Sequence, residues 1–138
     1  YVTALGVDKQ IHIGETGWAS VATDLYGIDG TKAADELKQS VYFNLTNELC
    51  NRLSISCFYF SAFDEPWKDS SNVYGSENHF GLFTVNGEAK YALWDKVDNN
   101  TLNGLGRNGV KVNKTFDGNM DDLLKTVKVP YINDLGEN

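Results

Sequence analysis

The sequence predicts an α/β fold built on one strand–helix–strand unit. Three observations carry that reading. A short apolar run at residues 10–14 and a longer one at 55–63 bracket a stretch in which Ala34, Leu37, Val41, Leu45, Leu49 and Leu53 recur every three or four positions. The second run, ISCFYFSAF, is apolar or small almost throughout, as in a strand covered on both faces. Both runs end in a carboxylate followed by a tryptophan: Glu15 with Trp18, and Glu65 with Trp67. Strands joined through a helix pair in parallel. The two acid–aromatic sets are therefore expected at one end of one sheet, where α/β enzymes place their chemistry.

Taken in order, residues 1–6 read as the end of a helix closed by Gly6. Residues 10–14 form the first strand, and residues 19–30 a loop holding Asp24, Tyr26 and Asp29. Thr31 is placed to cap the next helix, with Asp35 and Glu36 near its positive end. That helix is expected to run for about 20 residues with its leucine stripe packed on the sheet. Residues 55–63 form the second strand. A polar loop at 69–78 is closed by Glu77, and 79–85 is a short extended piece. Asn86-Gly87 is a tight-turn signal. Residues 91–97 begin a helix whose Trp94 is read as core. After Asp98 the chain turns rich in Asn and Gly, Asn108-Gly109 suggests a hairpin, and 121–127 a short helix stopped by Pro130.

Composition narrows the class. The chain has 138 residues with a formal net charge of −7, three Trp, seven Tyr and seven Phe. That is a globular composition with an acidic balance and no basic run, which argues against nucleic acid and anionic membranes as partners. No apolar run approaches a membrane span. Cys50 and Cys57 fit no metal spacing and are as consistent with two buried thiols as with a disulfide; His12 and His79 are not a ligand pair. Neither a metal nor a cofactor is expected.

A carboxylate beside an aromatic face suits a sugar, with C–H stacking below and an anionic group at the anomeric carbon. The glycines around Glu15 would let a substrate approach the backbone closely. The bland reading of Glu15 is an ionised loop cap or a partner for a lysine. One acid–aromatic pair does not separate the two readings. Two pairs at equivalent places favour a site. Trp18, Trp67, Tyr59 and Phe63 are candidate sugar-stacking walls, with core packing as the alternative for Tyr59 above all. Glu36, Glu48 and Glu88 read as solvated surface.

Three stretches, IHIGETGWAS, FYFSAFDEPWK and SENHFGLF, resemble in order and spacing the C-terminal part of glycoside hydrolase family 17. These are endo-β-1,3-glucanases (laminarinases) and related glucan-remodelling transferases, and the likeness is nearer the bacterial than the plant members. It covers roughly residues 1–97. It implies a (β/α)8 barrel in which residues 1–98 supply strands seven and eight with their helices, and residues 99–138 form an extension packing on the barrel. It also implies that Glu15 is the nucleophile and that Glu65, Lys68 and Glu77 support it. Ala19 stands where many members carry proline.

A barrel of this type runs to about 250 residues. The family's general acid lies at the end of strand four, for which this chain has no counterpart. The chain is thus expected to supply the nucleophile but not the acid of a retaining β-1,3-glucanase, and not to hydrolyse glucan alone. Its expected partners are the β-glucan polysaccharide and the N-terminal part of the same barrel. A glucanosyltransferase or a non-catalytic glucan-binding fragment are the alternatives. A polysaccharide substrate implies a secreted, periplasmic or cell-surface location.

Overall fold

The computed structural model describes residues 9–23 and 32–129. The readings made for residues 1–6, for Asp24, Tyr26, Asp29 and Thr31, and for Pro130 onward lie outside the described residues. The predicted α/β unit is present. Strand β1 (His12–Thr16) and strand β2 (Ser56–Tyr59) pair in parallel, joined through helix α1 (Glu36–Leu53). The cap of α1 is Asp35, in extended conformation, whose side chain accepts from Lys38 N at 2.9 Å. The helix ends at Ser54, in the left-handed region at φ 52°, and Ile55 N returns to Cys50 O at 3.0 Å.

Several expectations are corrected. The first strand continues through Glu15 to Thr16 rather than stopping at Gly14. Its register with β2 shifts between Ile13, opposite Cys57, and Thr16, opposite Tyr59. Gly14 and Glu15 therefore face the single residue Phe58 in a bulge, an irregularity that re-aims a side chain. Strand β2 is shorter than 55–63 and is not covered on both faces, since Ser56 and Phe58 are exposed. The leucine stripe of α1 does not pack on the sheet either. Val41, Leu45, Leu49 and Leu53 are 38–59% exposed, and the buried face is Gln39, Ser40 and Cys50. The physical reason is orientation: Gln39, Tyr42 and Phe43 turn toward β1, β2 and the chain that follows them, which leaves the stripe on another side of the helix.

Beyond Tyr59 the chain stays extended without forming a regular strand, and the Phe60–Ser61 peptide is cis. Phe83 N donates to Ala62 O and Asp64 N to Phe83 O, so the predicted extended piece at 79–85 runs parallel beside residues 61–64. The Asn86-Gly87 turn is present, with Gly87 at φ +92°. A 3₁₀ turn (Tyr91–Leu93) leads into α2 (Trp94–Asp98). Trp94 is buried, as expected, and its indole N–H donates to Ala89 O.

The hairpin pairs β3 (Gly106–Arg107) with β4 (Val110–Lys111) around Asn108-Gly109, and α3 (Met120–Thr126) is the last helix described. The core joins these parts: Ala89, Leu93 and Val112 pack against Phe43, Leu82, Phe83, Val97 and Leu102. Both cysteines are free, and burial first, then the neighbouring Cys50, pushes the Cys57 thiol up. No described helix is long and apolar enough to cross a membrane.

Candidate active site

The site is assembled where β1 and β2 end. Gly17 follows the Glu15 bulge, and its role differs from that read in the sequence. A Cβ there would lie 2.0 Å from Phe60 O, so this glycine admits the neighbouring strand end rather than a substrate. Gly14 has open space around it. Thr16 O accepts from Phe60 N at 2.7 Å, which fixes the two strand ends side by side. Glu15 is exposed at this edge.

Glu65 lies six residues beyond the end of β2, after the extended piece at 60–64. Its backbone N–H donates to Asn78 O at 3.1 Å, and its carboxylate meets Lys68 Nζ at 3.3 Å. The Lys68 ammonium also sits 3.9 Å from the Phe60 ring centroid, within cation–π range. Glu77 is exposed in a 3₁₀ turn (Ser76–Asn78), between two buried neighbours. Asn78 staples this turn to the loop before it: its amide donates to Asp69 O and Asn72 O, and its carbonyl accepts from Asp69 N. The segments bearing Glu15, Glu65 and Glu77 are thereby held together.

The aromatic candidates divide. Trp67 is 63% exposed on the loop after Glu65, open to a ligand. Trp18 is half-buried; its indole N–H donates to Ala33 O at 2.9 Å and its ring lies 5.1 Å from that of Tyr42. Tyr59 packs edge-on against Phe43 of α1. Its hydroxyl is buried, and burial pushes its pKa up to about 12 against a lowering by the Trp18 backbone. Phe63 stacks on Phe83 beneath the Arg107 guanidinium. Tyr59 and Phe63 thus have internal partners, whereas Trp67 has a free face.

Sequence reasoning missed the polar layer beneath the site. Asp64, directly before Glu65, turns inward and pairs with Lys90 at 2.7 Å. Lys90 is 2% exposed and also donates to Ser20 Oγ at 2.7 Å and His79 O at 3.4 Å. Desolvation lowers its pKa against the pull of Asp64. Gln39 Nε2 bridges Trp18 O and Gly81 O. Glu36, read as solvated surface, instead accepts from Tyr91 N and Thr115 Oγ1, and burial raises its pKa. The one sequence signal for this layer was the helical spacing of Glu36, Gln39 and Ser40, outside the apolar stripe. Among the described residues no three His, Cys, Asp or Glu side chains converge as a metal site would require.

Residues 2–94 match the family described as Glycosyl hydrolases family 17. The chain is 35% identical over 103 residues to a glucan 1,3-beta-glucosidase of Arthroderma benhamiae, covering 67% of this chain and 30% of the relative. It is 39% identical over 83 residues to a glucan 1,3-beta-glucosidase of Schizosaccharomyces pombe, covering 59% of this chain and 23% of the relative. A crystal structure of an endo-laminarinase from Formosa Hel1_33_131 superimposes with a TM-score of 0.85 at 54% identity, over 94% of this chain and 33% of that one. The chain spans a third or less of the length of each of these relatives.

Proposed function

The chain belongs to glycosyl hydrolase family 17, and from that premise we propose that it forms the strand-seven and strand-eight part of a (β/α)8 endo-β-1,3-glucanase of retaining mechanism. The observation that carries the reading is the parallel pairing of β1, which bears Glu15 in a bulge, with β2, whose extended continuation leads to Glu65 against Lys68. The proteins it matches are named for action on β-1,3-glucan or laminarin, and the endo mode follows the laminarinase, the match of higher identity.

In this reading the Glu15 carboxylate attacks the anomeric carbon and the glycosidic C–O bond breaks. A general acid protonates the departing oxygen, leaving a covalent glycosyl ester. Water, deprotonated by the same residue now acting as base, then displaces Glu15 and restores the original configuration. The Lys68 ammonium pairs with the Glu65 carboxylate at 3.3 Å and fixes its position. Glu77 faces solvent where it can accept hydrogen bonds from sugar hydroxyls, and Trp67 offers a stacking face.

A retaining mechanism needs a second carboxyl about 5–5.5 Å from the nucleophile. We assign that acid to another part of the barrel, so the chain alone does not turn over glucan. Residues 99–138 are read as an extension on the barrel, and its described part ties back to the start of α1: Thr115 donates to Glu36, and Lys128 N donates to Asp35. The substrate is a polymer, which places the enzyme outside the cytoplasm.

The test is Glu15→Ala in the full-length protein, assayed on laminarin. Hydrolysis should fall by about a thousandfold or more, and added azide should restore turnover by giving a glycosyl azide of inverted configuration. Activity within tenfold of wild type would end the reading.

A further inference from the structure

We propose that Lys90 is a positioning residue that clamps the three chain segments carrying Glu15, Glu65 and Glu77 into one arrangement. The positioning role rests on the functional reading above; the clamp itself rests on geometry.

A lysine ammonium has three donors and no acceptor. Lys90 directs them to Ser20 Oγ at 2.7 Å, Asp64 Oδ1 at 2.7 Å and His79 O at 3.4 Å. Each acceptor belongs to a different segment. Ser20 lies five positions after Glu15, Asp64 directly before Glu65, and His79 two positions after Glu77. The acceptors are also tied to one another. Ser20 donates to His79 O from its backbone N at 3.0 Å and from its hydroxyl at 3.2 Å, and Asp64 Oδ1 accepts from Gly81 N at 3.0 Å. His79 Nδ1 stands 3.7 Å from Asp64 Oδ2.

The base of the clamp is equally fixed. Lys90 N donates to Leu82 O at 3.0 Å, and its neighbour Ala89 is fully buried in the core. Lys90 touches none of the candidate sugar-binding groups, so its action on them is indirect.

A buried ion pair is a weak source of stability compared with an apolar pair of the same volume. Stability alone therefore gives little reason for an ion pair at this place. Fixing three chain segments relative to one another does, because a misplacement of about 1 Å at reacting groups can cost about a hundredfold in rate.

Lys90→Met alone would leave Asp64 buried and unpaired, so the deciding variant of the full-length protein combines Lys90→Met with Asp64→Asn. The introduced amide keeps an oxygen for Gly81 N. The expected result is a kcat on laminarin about 10–100-fold lower, a KM within about threefold, a Tm within a few degrees of wild type, and faster amide exchange at Ser20 and Glu65. Unchanged exchange at those amides overturns the clamp. An unchanged kcat with faster exchange overturns the positioning role. If the wild-type protein hydrolyses no β-1,3-glucan, the functional reading fails by itself, and the exchange measurement still decides whether Lys90 holds the segments together.

Discussion

At the scale of single residues, the side chains that decide the fold and those that face a ligand lie next to each other in sequence. Asp64 points in and Glu65 points out; the first completes a buried ion pair and the second meets Lys68 at the surface. Two further residues carry checkable consequences. The Tyr59 hydroxyl is buried, and the Trp18 backbone offsets little of its desolvation. Tyr59→Phe is expected to be neutral or to stabilise by up to about 1 kcal/mol in urea unfolding. A loss of about 2 kcal/mol or more would mean that the hydroxyl makes a strong hydrogen bond. Burial raises the Glu36 pKa, against the lowering effect of the hydrogen bonds from Thr115 and Tyr91. The folded state thus holds the Glu36 proton more tightly than the unfolded state. Its contribution is full below the ordinary carboxylate pKa and is lost as pH rises through the raised value. Glu36→Gln keeps an acceptor oxygen without the charge. Its Tm relative to wild type should improve from about pH 4 to about pH 7, and a pH-independent difference would contradict the burial of a charge there.

Glu15 and Glu65 were legible because a strand followed by an acid is a local pattern. Lys90 was not. Lysines are almost always exposed, and its acceptors, residues 20, 64 and 79, are brought to it by tertiary folding alone. Glu36 was misread for the same reason: Thr115, its partner, lies 79 positions away.

Elements show where periodicity suffices and where it misleads. The parallel β1–α1–β2 unit, the Asn86-Gly87 turn and the Asn108-Gly109 hairpin follow from short-range chemistry and were all foreseen. The direction of the α1 stripe was not, because a pattern says which side of a helix is apolar but not what stands opposite. The start of α1 offers a direct test. Asp35 accepts from Lys38 N, pairs with the Lys38 ammonium and accepts from Lys128 N, so one carboxylate both caps the helix and ties down the chain beyond α3. Asp35→Ala should cost about 2 kcal/mol, at the top of the range for a cap, and should speed proteolysis near residue 128. Gly17→Ala tests the contact between the strand ends. The added Cβ, 2.0 Å from Phe60 O, must push β1 and β2 apart. The expected readouts in the full-length protein are a lower Tm and, on the proposed function, a drop in laminarin hydrolysis with Glu15 still present; wild-type values for both would show that the strands are not so close.

At the scale of the whole molecule, the chain presents more apolar surface than its own fold can use. Val41, Leu45 and Leu49 on α1 and Phe58 on β2 are all exposed. Surface of that kind marks a contact with other protein, and in the proposed barrel it faces neighbouring elements. Replacing Val41, Leu45 and Leu49 together by lysine should lower the Tm of the full-length protein by ten degrees or so, while reducing self-association of the isolated chain in light scattering. An unchanged Tm would show that the stripe stays in solvent.

The central claim remains chemical: the Glu15 carboxylate bonds to the sugar. A 2-deoxy-2-fluoro laminaribioside with a good leaving group traps such an ester, and peptide mass mapping locates it. The expected result is one glycosyl adduct on the peptide containing Glu15, lost on reactivation with an acceptor sugar. An adduct on Glu65 or Glu77, or turnover of laminarin with no adduct at all, would contradict the account.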